Sequence, residues 1–183
     1  IETLIPESLE DEEEFILPKA NRAVLVGNRF SPAEIHTKPD GTRVHTLWGE
    51  MAWQLGQETG GQGAGAYAIL ADEDIHGVSP GTEKLTALLQ KYGPALVLID
   101  EWVSHARQLY GKEGLPAGSF DANMTFAQAL TEAAKAARNA LVVGSIPSSD
   151  IEIGGEGGRA ALERIQNVFA RVESVWKPAT STE

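Results

Sequence analysis

The sequence contains no cysteine, which excludes a disulfide scaffold, a thiolate metal site and a cysteine nucleophile, and fits a reducing compartment such as the cytoplasm. No apolar run approaches the roughly 18 to 20 residues that span a bilayer. The start of the chain lacks the basic and apolar regions of a signal peptide, so a soluble protein without a membrane partner is expected. Lysine and arginine form no stripe, and nucleic-acid binding by these residues is therefore not supported. Also missing is G-x-x-x-x-G-K-[ST], the loop whose amides, lysine and hydroxyl hold nucleotide phosphates and their metal.

Acid is what the sequence has in excess, and it is placed unevenly. The first fifteen residues carry seven acids (Glu2, Glu7, Glu10, Asp11, Glu12, Glu13 and Glu14) and no base, out of a net charge of -11. Without them the body is nearly balanced, and a run of this kind reads as a solvated helix face. With 183 residues, 42% of them hydrophobic, one domain with a sizeable core is expected. The division is an acidic segment over 1–20, a core over 21–179 and a disordered tail over 180–183. Because the chain opens at Ile1 instead of Met, it reads as a fragment or a processed product.

Along the core, Arg22 to Val26 (RAVLV) reads as a buried strand closed by Gly27. Trp48, Met51, Ala52 and Leu55 share one helical face, which Gly56 should end. Five of the ten residues from Gly56 to Gly65 are glycine, which predicts an exposed loop. Pro80-Gly81 introduces a second helix with Leu85, Leu88, Leu89 and Tyr92 on one face, and Gly93-Pro94 ends it. Ala95 to Ile99 (ALVLI) is apolar on both faces, as a central parallel strand must be. A short helix over Val103 to Tyr110, a Gly/Pro loop and a long alanine-rich helix around Phe126 to Ala137 follow, with Asn139 as its cap. Ala140 to Gly144 is a second two-sided strand. The glycines of 154–158 read as a flexible loop before a helix holding Leu162, Ile165, Val168 and Phe169, and Arg171 to Trp176 alternates as a strand. Strands separated by helices of this size predict an α/β domain with a mainly parallel sheet.

The chemistry concentrates where the central strand ends. Leu96-Val97-Leu98-Ile99-Asp100-Glu101 matches the Walker B pattern, in which a rigid strand delivers carboxylates to the C-terminal sheet edge where open α/β sheets bind ligands. Asp100 suits the water shell of Mg²⁺ and Glu101 the deprotonation of an attacking water; the plainer alternative is a chain that simply reaches solvent there. Ser145 ends the next strand, in the place of a γ-phosphate sensor or of an ordinary turn residue. The four histidines have no metal-ligand spacing. Ser104-His105 lacks the nucleophile elbow of a hydrolase. Trp48, Trp53 and Trp102 read as core or interface aromatics.

From about Arg22 to Ala179 the chain resembles the predicted bacterial AAA+ ATPases catalogued as a domain of unknown function, the DUF four-nine-nine group. The likeness rests on RAVLVG, RVHTLWGEMAWQLG, PALVLIDEW, LVVGSIPSS and RVESVWKPA. It implies a three-layer P-loop NTPase-like fold of the AAA+ type, incomplete here because the first strand and the P-loop are missing. It implies an intact parent that binds ATP and Mg²⁺, hydrolyses ATP and assembles as a homo-oligomer, with a link to phage defence or DNA processing. Asp100 would serve the metal, Glu101 would be the catalytic base, Ser145 the sensor and Arg171 an arginine finger, for which a surface or helix-end arginine is the plainer alternative. These 183 residues alone are expected to be inactive and to bind no cofactor. From another class, the chain reads as a non-catalytic α/β interaction module.

Overall fold

The computed structural model describes residues 19–147 and 153–170. Three parallel strands, β1 (Asn21–Val26), β4 (Ala95–Asp100) and β5 (Ala140–Gly144), form a sheet in the order β1-β4-β5. In register, Ala23, Val97 and Val142 lie side by side, as do Leu25, Ile99 and Gly144. A short hairpin of β2 (His36–Thr37) and β3 (Arg43–Val44) leads into the first helix. The helices are α1 (Leu47–Glu58), α2 (Gly63–Tyr67), α3 (Ala71–His76), α4 (Thr82–Lys91), α5 (Trp102–Leu109), α6 (Phe120–Ala137) and α7 (Gly155–Phe169). No described helix is long and apolar enough to cross a membrane.

Two successive steps across the sheet in one direction, each by a right-handed crossover, put both sets of connecting helices on the same face. Burial follows that rule. Ala23, Leu25, Ala95, Val97 and Ile99 are at most 3% exposed, and they pack with Trp48, Met51 and Leu55 of α1, Leu85 and Leu88 of α4, and Trp102 and Phe126. The outward residues differ: Val24 is 47% exposed, Leu141 59% and Val143 46%. The strands expected to be buried on both sides therefore carry a helix layer on one side only among the described residues. β4 lies between its two neighbours, with its acids at the C-terminal end.

Several local expectations are revised. Gly56 does not stop α1, which runs to Glu58; it is buried because α1 crosses α2 there, where an added Cβ would sit 3.0 Å from the Gln62 carbonyl carbon and overlap Ala66. The expected exposed loop is therefore confined to residues 59–62, where Gly60 and Gly61 take φ of 65° and 79°, and the ends of the glycine-rich stretch belong to α1 and α2. The glycines after 154 are likewise not a loop: α7 starts at Gly155, and Gly158 is pressed against the Ile153 backbone. Arg138, in the left-handed region at φ 62°, ends α6. Asn139 instead gives its carbonyl to Ala95 N at 2.9 Å. Gly93-Pro94 is a cis peptide. The strand read over Arg171 to Trp176 and both terminal segments lie outside the described residues.

Candidate functional site

Asp100 is the last residue of β4, and Glu101 turns the chain into α5 with φ 55°, a left-handed conformation that costs a non-glycine residue about 1 to 2 kcal/mol. The turn is held from several sides. Gly27, at the end of β1, donates its N–H to the Asp100 carbonyl at 2.8 Å. It lies so close to the turn that an added Cβ would stand 2.8 Å from the Glu101 carbonyl carbon and 2.9 Å from the His105 Cβ. On the other side Ser145 N–H reaches the Ile99 carbonyl at 2.9 Å, which brings the end of β5 against the end of β4.

That register joins two of the residues singled out in the sequence. Ser145 Oγ donates to Asp100 Oδ1 at 2.5 Å, and the Glu101 N–H lies 3.0 Å from the same oxygen and 3.3 Å from Ser145 Oγ. Two donors thus orient one carboxylate oxygen while Oδ2 has no partner among the described residues. The Glu101 carboxylate also has none; Asp100, Glu101 and Ser145 are all exposed. A recess of about 150 Å³, lined by Glu101, Val103, Ser104, Ser145, Ile146 and Pro147, opens beside them. At roughly 30 Å³ per molecule it has room for several waters. Arg171 lies outside the described residues.

The donor set fits in part the Mg²⁺ that the sequence resemblance implies. One free carboxylate oxygen on a fixed strand end suits an ion that keeps most of its water. No group of three or more His, Asp or Glu converges as a direct ligand set among the described residues. Nothing in the 183 residues matches the phosphate-holding loop.

His105 belongs to the packing under the site. It is fully buried one helical turn beyond Glu101, and its Nδ1–H faces the Phe30 carbonyl at 3.1 Å, which leaves Nε2 unprotonated. Burial pushes its pKa down to about 4 against the partial support of that carbonyl, so the ring is neutral. Trp48 and Trp102 are core residues as expected, and Trp53 is half-buried.

Two clusters escaped the sequence reading. Asp74, fully buried on α3, accepts from the backbone N–H of Thr46 at 2.9 Å and of His45 at 3.0 Å. It also accepts from Thr46 Oγ1 at 2.5 Å and Tyr67 OH at 2.8 Å, and His45 Nδ1 is 2.8 Å away. Burial, with the Asp74 carboxylate adding to it, pushes the Tyr67 hydroxyl well above its ordinary pKa. This is a structural knot at the start of α1. The second cluster is a cleft of about 340 Å³ on the edge of β1, lined by Val24, Val26, Arg29, His36, Lys38 and Glu50 among others. Lys38 is paired with Glu50, while Arg29 has no ion pair among the described residues. Gln54 closes β1's free edge nearby, its amide meeting Val24 N at 2.6 Å and Val24 O at 3.1 Å. Neither cluster follows a spacing rule, because contact between segments distant in sequence assembles it.

No curated protein and no solved structure matches the chain. A family model described as the DUF499 N-terminal domain matches residues 9–177, which contain the whole of the sheet and the Asp100–Glu101–Ser145 cluster, and the chain belongs to that family.

Proposed function

We propose that these residues are the hydrolytic part of an AAA+-type P-loop ATPase whose phosphate-holding loop is supplied from outside the 183 residues. One observation carries the reading: Asp100, Glu101 and Ser145 meet at the C-terminal edge of adjacent parallel strands, with one Asp100 oxygen oriented by two donors and the other open. In this reading Asp100 would hold, through water, the Mg²⁺ that accompanies the nucleotide, and that ion would neutralise phosphate charge. Glu101 takes a proton from water held in the adjoining recess. Ser145 spends its hydroxyl hydrogen on Asp100, so it acts first by aiming that carboxylate; contact with a γ-phosphate requires the hydroxyl to rotate away. Arg171 is proposed to complete a neighbouring subunit's site in a homo-oligomer. A role of the whole protein in phage defence or DNA processing is part of the same proposal.

Titration calorimetry with Mg-ATP tests the division of labour. The 183-residue chain is expected to bind weakly or not at all, because two exposed carboxylates meet the polyphosphate without a cradle, while the full-length gene product binds in the micromolar range. Micromolar binding by the 183 residues, or none by the full-length product, contradicts it. A second reading, a non-catalytic interaction module, is favoured by the apolar sheet face that no helix covers among the described residues; on that reading neither protein binds nucleotide.

A further inference from the structure

A parallel sheet is ordinarily covered on both faces. Here Val24, Leu98 and Val143 share one register line on the outward face, with Leu96 and Leu141 beside them. Val24, Leu141 and Val143 are 46 to 59% exposed, although each is the residue type that gains about 1.5 to 3 kcal/mol from full burial. The face is continuous with the β1-edge cleft through Val24 and Val26. Arg22 stands at one end of β1 on this side, its exposed pair with Glu58 3.1 Å long, and Arg29 stands past the other end.

We propose that the N-terminal segment, residues 1–18, docks on this face. Three observations select it. It is joined to β1 through only Lys19 and Ala20, at the bottom of the face left uncovered by the described residues, and 18 residues exceed the length of a six-residue strand of about 20 Å even when compact. It carries apolar residues at both ends, Ile1, Leu4, Ile5 and Leu9, then Phe15, Ile16 and Leu17. Its seven acids with no base complement Arg22 and Arg29. Asp100 occupies the C-terminal end of the same face on β4, so the acids lie along the β1 side. A second copy is disfavoured as the occupant, because two chains of net charge -11 repel, whereas a short tether supplies an effective concentration of about millimolar. The proposal does not depend on the ATPase reading.

The chain's lack of cysteine makes the test clean. In the 183-residue chain, Val143→Cys is expected to react with a maleimide about tenfold more slowly than Ile75→Cys, a 59% exposed control position away from the sheet. Replacing Leu4, Ile5, Leu9 and Phe15 together by serine should raise the Val143→Cys rate to that of the control, with the circular dichroism of the fold unchanged. Equal rates in the parent chain overturn the proposal, and so does protection that survives the serine substitutions or that appears only as protein concentration rises. Independently, Leu9→Cys with Val143→Cys should form a disulfide that leaves the chain at monomer mobility on a non-reducing gel. A dimer band, or no bond, overturns it.

Discussion

His105 shows how a single buried group sets a pH limit on the fold. Its folded pKa of about 4 lies below the ordinary value of 6.5 because burial disfavours the charged ring. Between those values the unfolded chain binds the extra proton and the folded chain does not, so stability falls as pH falls. The contribution is fully present above about pH 6.5 and is lost progressively down to about pH 4, by a total of about 3 kcal/mol at 1.36 kcal/mol per unit. His105→Gln keeps a donor for the Phe30 carbonyl and removes the titration. Urea melts at pH 7 and pH 4.5 should therefore show a smaller loss in the variant than in the wild type. An equal loss would mean that the ring is not held neutral. Glu101 is a different kind of residue: its left-handed backbone is held through its N–H by the Asp100 and Ser145 side chains, while its own carboxylate has no partner among the described residues.

Among the elements, those with strong periodicity were legible. Ala95 to Ile99 reads as a central strand because alternate residues face the helix layer while the others remain apolar, and β1 and β5 flank it in parallel. The place of Asp100 and Glu101 follows from where that strand ends. Their hydrogen-bond partner does not, because the approach of Ser145 to Asp100 depends on inter-strand register. The glycine-rich stretches were legible only in part, for a physical reason: glycine signals a loop when its freedom is used, as at Gly60 and Gly61, and a close contact when its missing side chain is. Gly56 is of the second kind. Gly56→Val would push α1 from α2 and should cost about 2 to 3 kcal/mol of folding stability by denaturant titration, against 1 kcal/mol or less at an exposed helix position. A cost within that lower range would return the segment to the status of a loop. The β2/β3 hairpin and the Asp74 knot left no periodic trace, since two-residue strands and a lone aspartate are fixed only by tertiary contact.

The whole molecule combines a sheet that carries helices on one side only among the described residues, an acidic start and a family match across residues 9–177. The C-terminal sheet edge offers an oriented carboxylate, one without a partner among the described residues and a recess with room for water. The most direct measurement is ATP turnover and ATP affinity of the full-length gene product carrying Glu101→Gln. The amide keeps the shape of the side chain and its hydrogen bond to water but takes no proton. Turnover should fall by about 100-fold or more while the ATP dissociation constant stays within about threefold of the wild type. Turnover at the wild-type rate would contradict the assignment of hydrolysis to this edge.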